Sequence, residues 1–418
     1  MSASRHLRPH GSGPVLRAAV AAALALGAAA CTGGGGTSAA GPSGPSSPAS
    51  TTAAPSSPAA APATPSTPAA APATPSTPAA GGATPSRAAG QGPTPALEAW
   101  VYPGSTGEAT CRAPAEYRDG RLRDGVLKAE YWQVDKDGAL VLQTAENLPC
   151  NGFSDANAAD IKAHSAAQYV TVSAMDRATV AALVGDPGRR TAAVSQLTGF
   201  TKRIGFTGVD IDFEDFWNWS PDDERGYQAF VTELARDLHA AGLRLQIDGP
   251  VEVADGDSPF DYTALMKAGA DQLVVMDYGR MFNTTGGRCL AVSPHDWVRA
   301  GVAFARAKVP DPDRLVIGLA SYGFSAPDPC DTGRIKDSVP LADLRERPGY
   351  SEDPATVAAR RDAGSGEVRW TNGGTLYDYT DQAGMDAKLA VLREAGVTRV
   401  SVWVLGGNPW FSAAALGR

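Results

Sequence analysis

From residue 97 onward, short runs rich in Val, Ile, Leu and Tyr recur, most of them followed by a stretch with helical spacing. EAWVYP (98–103), VLKAEYW (126–132), QYVTVSA (168–174), GVDIDFE (208–214), LRLQIDG (243–249), QLVVMDY (272–278), RLVIGLASYG (314–323) and RVSVWVLGG (399–407) read as strands. Between them, RTAAVSQLTGFTKRIG and GYQAFVTELARDLHAAG read as amphipathic helices, the second setting Phe230, Leu234 and Leu238 on one face. Eight strands alternating with helices predict an α/β fold, a (β/α)8 TIM barrel in preference to a doubly wound sheet. The segment 133–165, which contains DKDGALVLQ, interrupts the alternation as a short extra strand or a hairpin.

The first 96 residues follow another pattern. Residues 1–30 begin with Arg5, Arg8 and Arg17 and run through AAVAAALALGAAA to Cys31. A basic start, a short apolar run and small residues describe a signal peptide, since roughly 20 apolar residues are needed to span a bilayer. A run of small residues ending on a cysteine resembles a bacterial lipoprotein signal, although Ala28 stands where that motif prefers Leu. The resemblance implies a lipidated Cys31; plain secretion is the alternative. Residues 31–96 are dominated by Pro, Ala, Ser and Thr, with APATPSTPA occurring twice. Proline blocks helix and ladder hydrogen bonds, and almost nothing there can be buried. The segment therefore reads as a disordered stalk ahead of one large domain, 97–418, on the outer face of the membrane or released from it.

Charge narrows the choice of ligand. The 37 Lys and Arg, less the four in the first 96 residues, leave 33 against 45 acids in the domain, a formal charge of −12. Nucleic acid is excluded as a partner, because affinity for it comes from a basic face; a neutral polymer is not repelled. Apart from Cys31 the cysteines are Cys111, Cys150, Cys289 and Cys330, which outside the cytoplasm suggest two disulfides with three possible connectivities. Cys111 and Cys150 follow the first two strands, and Cys289 and Cys330 the sixth and seventh. Neighbouring barrel loops therefore favour Cys111–Cys150 and Cys289–Cys330.

The candidate chemistry lies in GFTGVDIDFEDF (205–216). Alternate side chains of a strand share a face, so Asp210, Asp212 and Glu214 form a row, opposite Val209, Ile211 and Phe213. Like charges this close resist being ionised together, which is a way to keep a carboxylic acid protonated near neutral pH. Such a row can also bind Mg²⁺ or Ca²⁺ or lie on an exposed strand edge. No glycine-turn calcium loop accompanies it, and the apolar opposite face needs burial too; no metal or cofactor is expected. Barrel sites lie at the C-terminal strand ends, which directs attention to Glu214, Asp277, Tyr278 and Trp403. Trp217 and Trp219 are candidates to line the cleft, and Asp248 either faces it or caps a loop.

GFTGVDIDFE resembles the DGxDxDxE signature of family-18 glycoside hydrolases, matched by Gly208, Asp210, Asp212 and Glu214, with Thr207 in place of the first Asp. RLVIGLASYGFS, with Tyr322, is similar to the family's seventh strand, and RVSVWVLGG to its eighth. WTNGGTLYDYTD with VWVLGGNPW resembles the branch that contains spore-cortex N-acetylglucosaminidases. The third strand lacks the family's SxGG. The sixth reads VVMDYGR, so the MxYD motif fits in two registers, placing either Tyr278 or Asp277 in the motif.

The resemblance implies substrate-assisted retaining hydrolysis, an exception to the two-carboxylate scheme. Glu214 is the acid and base, Asp212 orients the sugar's acetamido group, Asp210 shares a proton with Asp212, and Tyr278 bonds the acetamido oxygen. Trp403, Asp277, Tyr322 and Trp217 are the substrate-binding candidates. The expected enzyme is a monomeric glycosidase acting on β-1,4 bonds at N-acetylglucosamine in chitin-like or peptidoglycan glycan. Loss of turnover on the same barrel, giving a carbohydrate-binding lectin, is the alternative.

Overall fold

The computed structural model describes residues 94–103 and 108–418. The signal region 1–30, Cys31 and the stalk up to residue 93 lie outside the described residues. The chain forms β1 (Ala96–Val101), β2 (Val126–Val134), β3 (Leu140–Leu142), β4 (Ala167–Ala174), β5 (Gly208–Phe213), β6 (Arg244–Pro250) and β7 (Gln272–Met276). A short pair, β8 (Thr284–Thr285) and β9 (Arg288–Cys289), precedes β10 (Leu315–Ala320). Then follow β11 (Gly323–Pro327), β12 (Lys336–Val339), β13 (Val368–Asn372), β14 (Thr375–Tyr379) and β15 (Arg399–Trp403). Eight of them, β1, β2, β4, β5, β6, β7, β10 and β15, pair in parallel, and pairing of β1 with β2 closes the ring. With helices packed outside, this is the (β/α)8 barrel that the strand spacing predicts.

Local chemistry explains the elements. The helix Pro187–Ile204 starts on Asp186, whose side chain accepts from the Arg189 N–H, and stops at Gly205, whose φ of 69° is the left-handed conformation that glycine tolerates. The helix Pro221–Ala240 opens with a reciprocal capping box between Ser220 and Asp223. Its Phe230, Leu234 and Leu238 are fully buried, and Phe230 stacks on Phe213 of β5 with ring centroids 5.7 Å apart. The DKDGALVLQ segment is a hairpin, in which β3 pairs antiparallel with β2 and Gly138 takes a φ of 78°.

RLVIGLASYG is two elements, not one strand. β10 ends at Ala320, where the Ser321 N–H donates to the Trp403 carbonyl in the last rung shared with β15. The chain then enters a four-stranded antiparallel sheet, ordered β12-β11-β14-β13. It has its own apolar cluster of Leu341, Leu344, Val368, Trp370 and Tyr379. Gly373 and Gly374, both at positive φ, close the β13–β14 hairpin as a two-residue primed turn requires. This sheet is an insertion between the last two barrel strands that strand counting did not separate. Disulfides join Cys111 to Cys150 and Cys289 to Cys330, with Cα–Cα distances of 5.0 and 5.2 Å.

Candidate active site

The acid row is built by β5. Val209, Ile211 and Phe213 are completely buried against the surrounding helices, so the strand's period of two turns Asp210, Asp212 and Glu214 inward. Gly208 is required by packing: a Cβ there would lie 2.2 Å from the Arg244 carbonyl oxygen of β6. Thr207 sits at the opposite end of the strand from the cleft, about 10 Å before Asp210 at strand rise. Its hydroxyl accepts from the Gln168 N–H at 3.2 Å, tying β4 to β5 at the barrel floor.

Below the cleft lies a charge cluster that sequence reading missed. Lys128 of β2, fully buried, places its ammonium 3.4 Å from Asp210, 3.6 Å from Asp248 and 3.6 Å from Glu98. The same ammonium stands 3.7 Å above the centre of the Trp100 ring. Burial works against its charge, but the three carboxylates outweigh burial and hold its pKa above the usual lysine value. Asp210 also accepts from Thr171 Oγ1 at 2.8 Å and from Trp100 Nε1 at 3.2 Å. Its oxygens are thus engaged by donors from three other strands. Asp248, fully buried on β6, is pushed well above the carboxylate range by burial and by the neighbouring Asp210 charge.

Asp212 and Glu214 lie above this cluster and line an open cleft of about 840 Å³ at the C-terminal strand ends. Burial, and then the Glu214 charge, raise the Asp212 pKa well above normal. Its buried Oδ1 has no hydrogen-bond partner among the described residues. Glu214 is pushed up to about 8, first by burial and then by Asp248 and Asp337, so it carries a proton at neutral pH. Three further acids line the cleft: Asp257; Glu130, raised to about 7 by burial; and Asp337, raised to about 6 for the same reason. Ser173 Oγ donates to Glu130 at 2.6 Å.

The structure separates the two registers of VVMDYGR. Met276 and Tyr278 line the cleft, while Asp277 turns the other way, under the helix His295–Lys308, with its Oδ2 3.2 Å from where a Cβ on Gly301 would lie. Asp277 is therefore no cleft residue: the strand's alternation sends neighbours to opposite faces. Tyr278 is held in its phenol form by burial and meets Tyr322 edge-on at 6.2 Å. Tyr322, Trp217 and Trp403 also line the cleft, and Trp403 packs against Trp100 at 5.6 Å and Tyr102 at 6.0 Å. Trp219 does not: it is buried against Phe216, Tyr227 and Phe260, with Nε1 donating to the Glu214 carbonyl at 3.1 Å. Arg280 is the one cation among the described cleft-lining residues.

A protonated acid at a rim, an unpaired carboxylate oxygen beside it and a phenol in the same cleft suit acid-assisted bond cleavage. The chain and its fold resemble several known proteins. The chain is 23% identical over 238 residues to YdhD of Bacillus subtilis (strain 168), a protein named for a sporulation-specific glycosylase activity. That match spans 53% of this chain and 52% of YdhD, about half the length of the relative. The fold matches a chitinase from Chromobacterium violaceum ATCC 12472 with a TM-score of 0.59 and 20% identity, over 77% of this chain and 98% of that one. It matches the Bacillus cereus spore cortex-lytic enzyme SleL with a TM-score of 0.61 and 16% identity, over 78% and 75%. A class V chitinase from Nicotiana tobaccum, crystallised with NAG4, superposes with a TM-score of 0.58 and 12% identity, over 75% and 95%. The family model for glycosyl hydrolases family 18 matches residues 130–407, most of the chain and nearly all of the barrel, including the acid row. The chain belongs to the glycosyl hydrolases of family 18.

Proposed function

We propose that this glycoside hydrolase cleaves β-1,4 bonds at N-acetylglucosamine units of a chitin-like or peptidoglycan glycan, with retention and with help from the substrate's own acetamido group. The observation that carries this reading is the pairing of Glu214, protonated at neutral pH, with the unpartnered Asp212 Oδ1 in one cleft. Glu214 gives its proton to the glycosidic oxygen as the bond to the anomeric carbon breaks. The acetamido oxygen attacks that carbon and closes an oxazolinium ring. Asp212 accepts the acetamido N–H, whose nitrogen gains positive charge, and stabilises the transition state electrostatically. The Tyr278 hydroxyl donates to the acetamido oxygen, and Trp403 supports the sugar face. Water then attacks the anomeric carbon, Glu214 takes its proton, and the ring opens to restore acid and acetamide.

Product analysis on N-acetylglucosamine oligomers beside purified peptidoglycan tests the reading. Glu214→Gln is expected to lower kcat by at least about 10²-fold, the low end for loss of a general acid, while binding is retained. A thiazoline mimic of the oxazolinium ring is expected to inhibit the wild type in the same assay. Unchanged turnover in Glu214→Gln would sink the acid assignment, and an active but uninhibited enzyme would sink substrate assistance. Binding without cleavage of any glycan would replace the enzyme by a lectin.

The basic, apolar and small-residue leader ending at Cys31 supports a lipid anchor that holds the barrel outside the membrane on its stalk. Cys31→Ser is expected to move the protein from the membrane fraction to the medium; unaltered fractionation would remove the anchor.

A further inference from the structure

Charged side chains withdrawn from water are normally paired, and several half-buried arginines among the described residues follow the rule. Half-buried Arg112, Arg121, Arg190, Arg361 and Arg369 each face a carboxylate within 4 Å, and Arg314 donates to three backbone carbonyls. The Arg280 guanidinium is also half-buried, yet among the described residues it has neither an ion pair nor a side-chain hydrogen bond. Its contact is the Trp297 ring, whose centroid lies 5.5 Å from Cζ. The nearby acids Asp296 and Asp257 act on it through space without an ion pair, each spending one oxygen on backbone N–H groups: Asp296 on Trp297 at 2.8 Å, and Asp257 on Val253 and Ala254 at 2.8 and 2.9 Å. The Arg280 backbone N–H donates to the Val292 carbonyl at 2.9 Å, which fixes the main chain from which the side chain reaches the cleft. Trp297 steadies the guanidinium plane and leaves its N–H donors available at the cleft wall, together with Asn283 and Thr284.

We propose that Arg280 is a carboxylate receptor, so that the glycan taken by this cleft carries an acid beside its N-acetylated sugars. A planar guanidinium with parallel N–H donors matches a carboxylate in bidentate fashion and gives no comparable gain on a neutral hydroxyl. Plain chitin offers no such group. A peptidoglycan strand offers two: the lactyl acid of N-acetylmuramic acid once its peptide is removed, and the carboxylates of the stem peptide while it is attached. This inference rests on the glycosidase reading above and makes it more specific.

The test compares wild type with Arg280→Gln, which keeps a donor and removes the charge. Four probes are used: a chito-oligomer, a peptide-free N-acetylglucosamine–N-acetylmuramic acid oligomer, its lactyl methyl ester, and a peptide-bearing fragment. Affinity is read by calorimetry and turnover by product analysis. Wild type is expected to prefer the free acid over its ester by about ten-fold, the effect of one hydrogen bond to a charged group, and Arg280→Gln to abolish the preference. A preference confined to the peptide-bearing fragment, and lost in the variant, would keep the receptor and move its partner to the stem. Equal affinity of wild type for acid, ester and chito-oligomer, or an equal loss on all of them in the variant, would overturn the proposal. Wild type that cleaves none of the four would sink the proposed substrate, while the calorimetry still decides the carboxylate preference.

Discussion

Lys128 is the positive charge among Glu98, Asp210 and Asp248 in the barrel interior, and the catalytic row rests on it. Removing one partner of a buried ion cluster typically costs about 3–5 kcal/mol, because the remaining charges stay buried without compensation. Lys128→Met is therefore expected to lower stability by that amount. It is also expected to move the acid limb of the kcat/KM profile to higher pH, because the ammonium lowers the Asp212 pKa against burial, Glu214, Glu130 and Asp210. Denaturant unfolding and a pH–rate series measure the two effects; an acid limb that stayed in place would mean that Asp212 is insulated from the ammonium. Lys128 and Glu130 alternate within VLKAEYW by the same period of two that makes the row Asp210, Asp212, Glu214 readable. What the strand sequence lacks is the partner list. Glu98, Asp210 and Asp248 lie 30, 82 and 120 positions away, and only the closed barrel brings them to one ammonium.

Strand by strand, the barrel is legible because each strand feeds a helix with its own start and stop signals, such as the Ser220–Asp223 capping box and Gly205. The insertion is less so, since RLVIGLASYG is apolar over most of its length and its one inner polar residue, Ser321, does not mark the end of β10 at Ala320. What bounds β10 is its register on β15, whose Trp403 lies 82 residues beyond Ser321. The inserted sheet is joined to the barrel by charge as well as by chain. Glu367, just before β13, accepts from the Val292 and Ser293 N–H groups at 2.8 and 3.0 Å and pairs with Lys388 of the helix Gln382–Glu394. Arg369 of β13 donates to the Cys289 and Leu290 carbonyls at 3.0 and 2.8 Å. These bonds brace the segment after β7 that carries Tyr278 and Arg280. Asp277 shows how alternation both helps and misleads: the motif admits it, but a one-residue step on a strand end changes the face.

Taken as one molecule, the barrel holds carboxyl groups whose folded forms favour the proton. Glu130 is raised from 4.5 to about 7, Glu214 from 4.5 to about 8 and Asp337 from 3.8 to about 6, each chiefly by burial. A raised folded pKa means that the native state binds more protons than the unfolded chain between the two values, so stability falls as pH rises through that window. The contribution is fully present below about pH 4, the unfolded range, and is lost progressively up to about pH 8. Glu130, fully buried, alone accounts for a change of about 3 kcal/mol at 1.36 kcal/mol per unit, an upper bound because the cleft admits water when empty. Groups with depressed pKa act the other way: the contributions of Asp223 and Asp381, each held down against burial by hydrogen bonds and an arginine, are complete above about pH 4, and His295, lowered from 6.5 chiefly by burial, opposes the fall only below about pH 6.5. Between pH 5.5 and 8.5 the raised carboxyls therefore dominate, and Tm is expected to fall across that interval. Glu130→Gln keeps the side-chain shape and cannot ionise, so it should make the decline shallower, while Glu214 still supplies part of it. Scanning calorimetry of both proteins across the interval decides the matter: identical slopes would mean that Glu130 ionises without cost in the folded barrel, and burial would no longer explain how the neighbouring Glu214 keeps its proton.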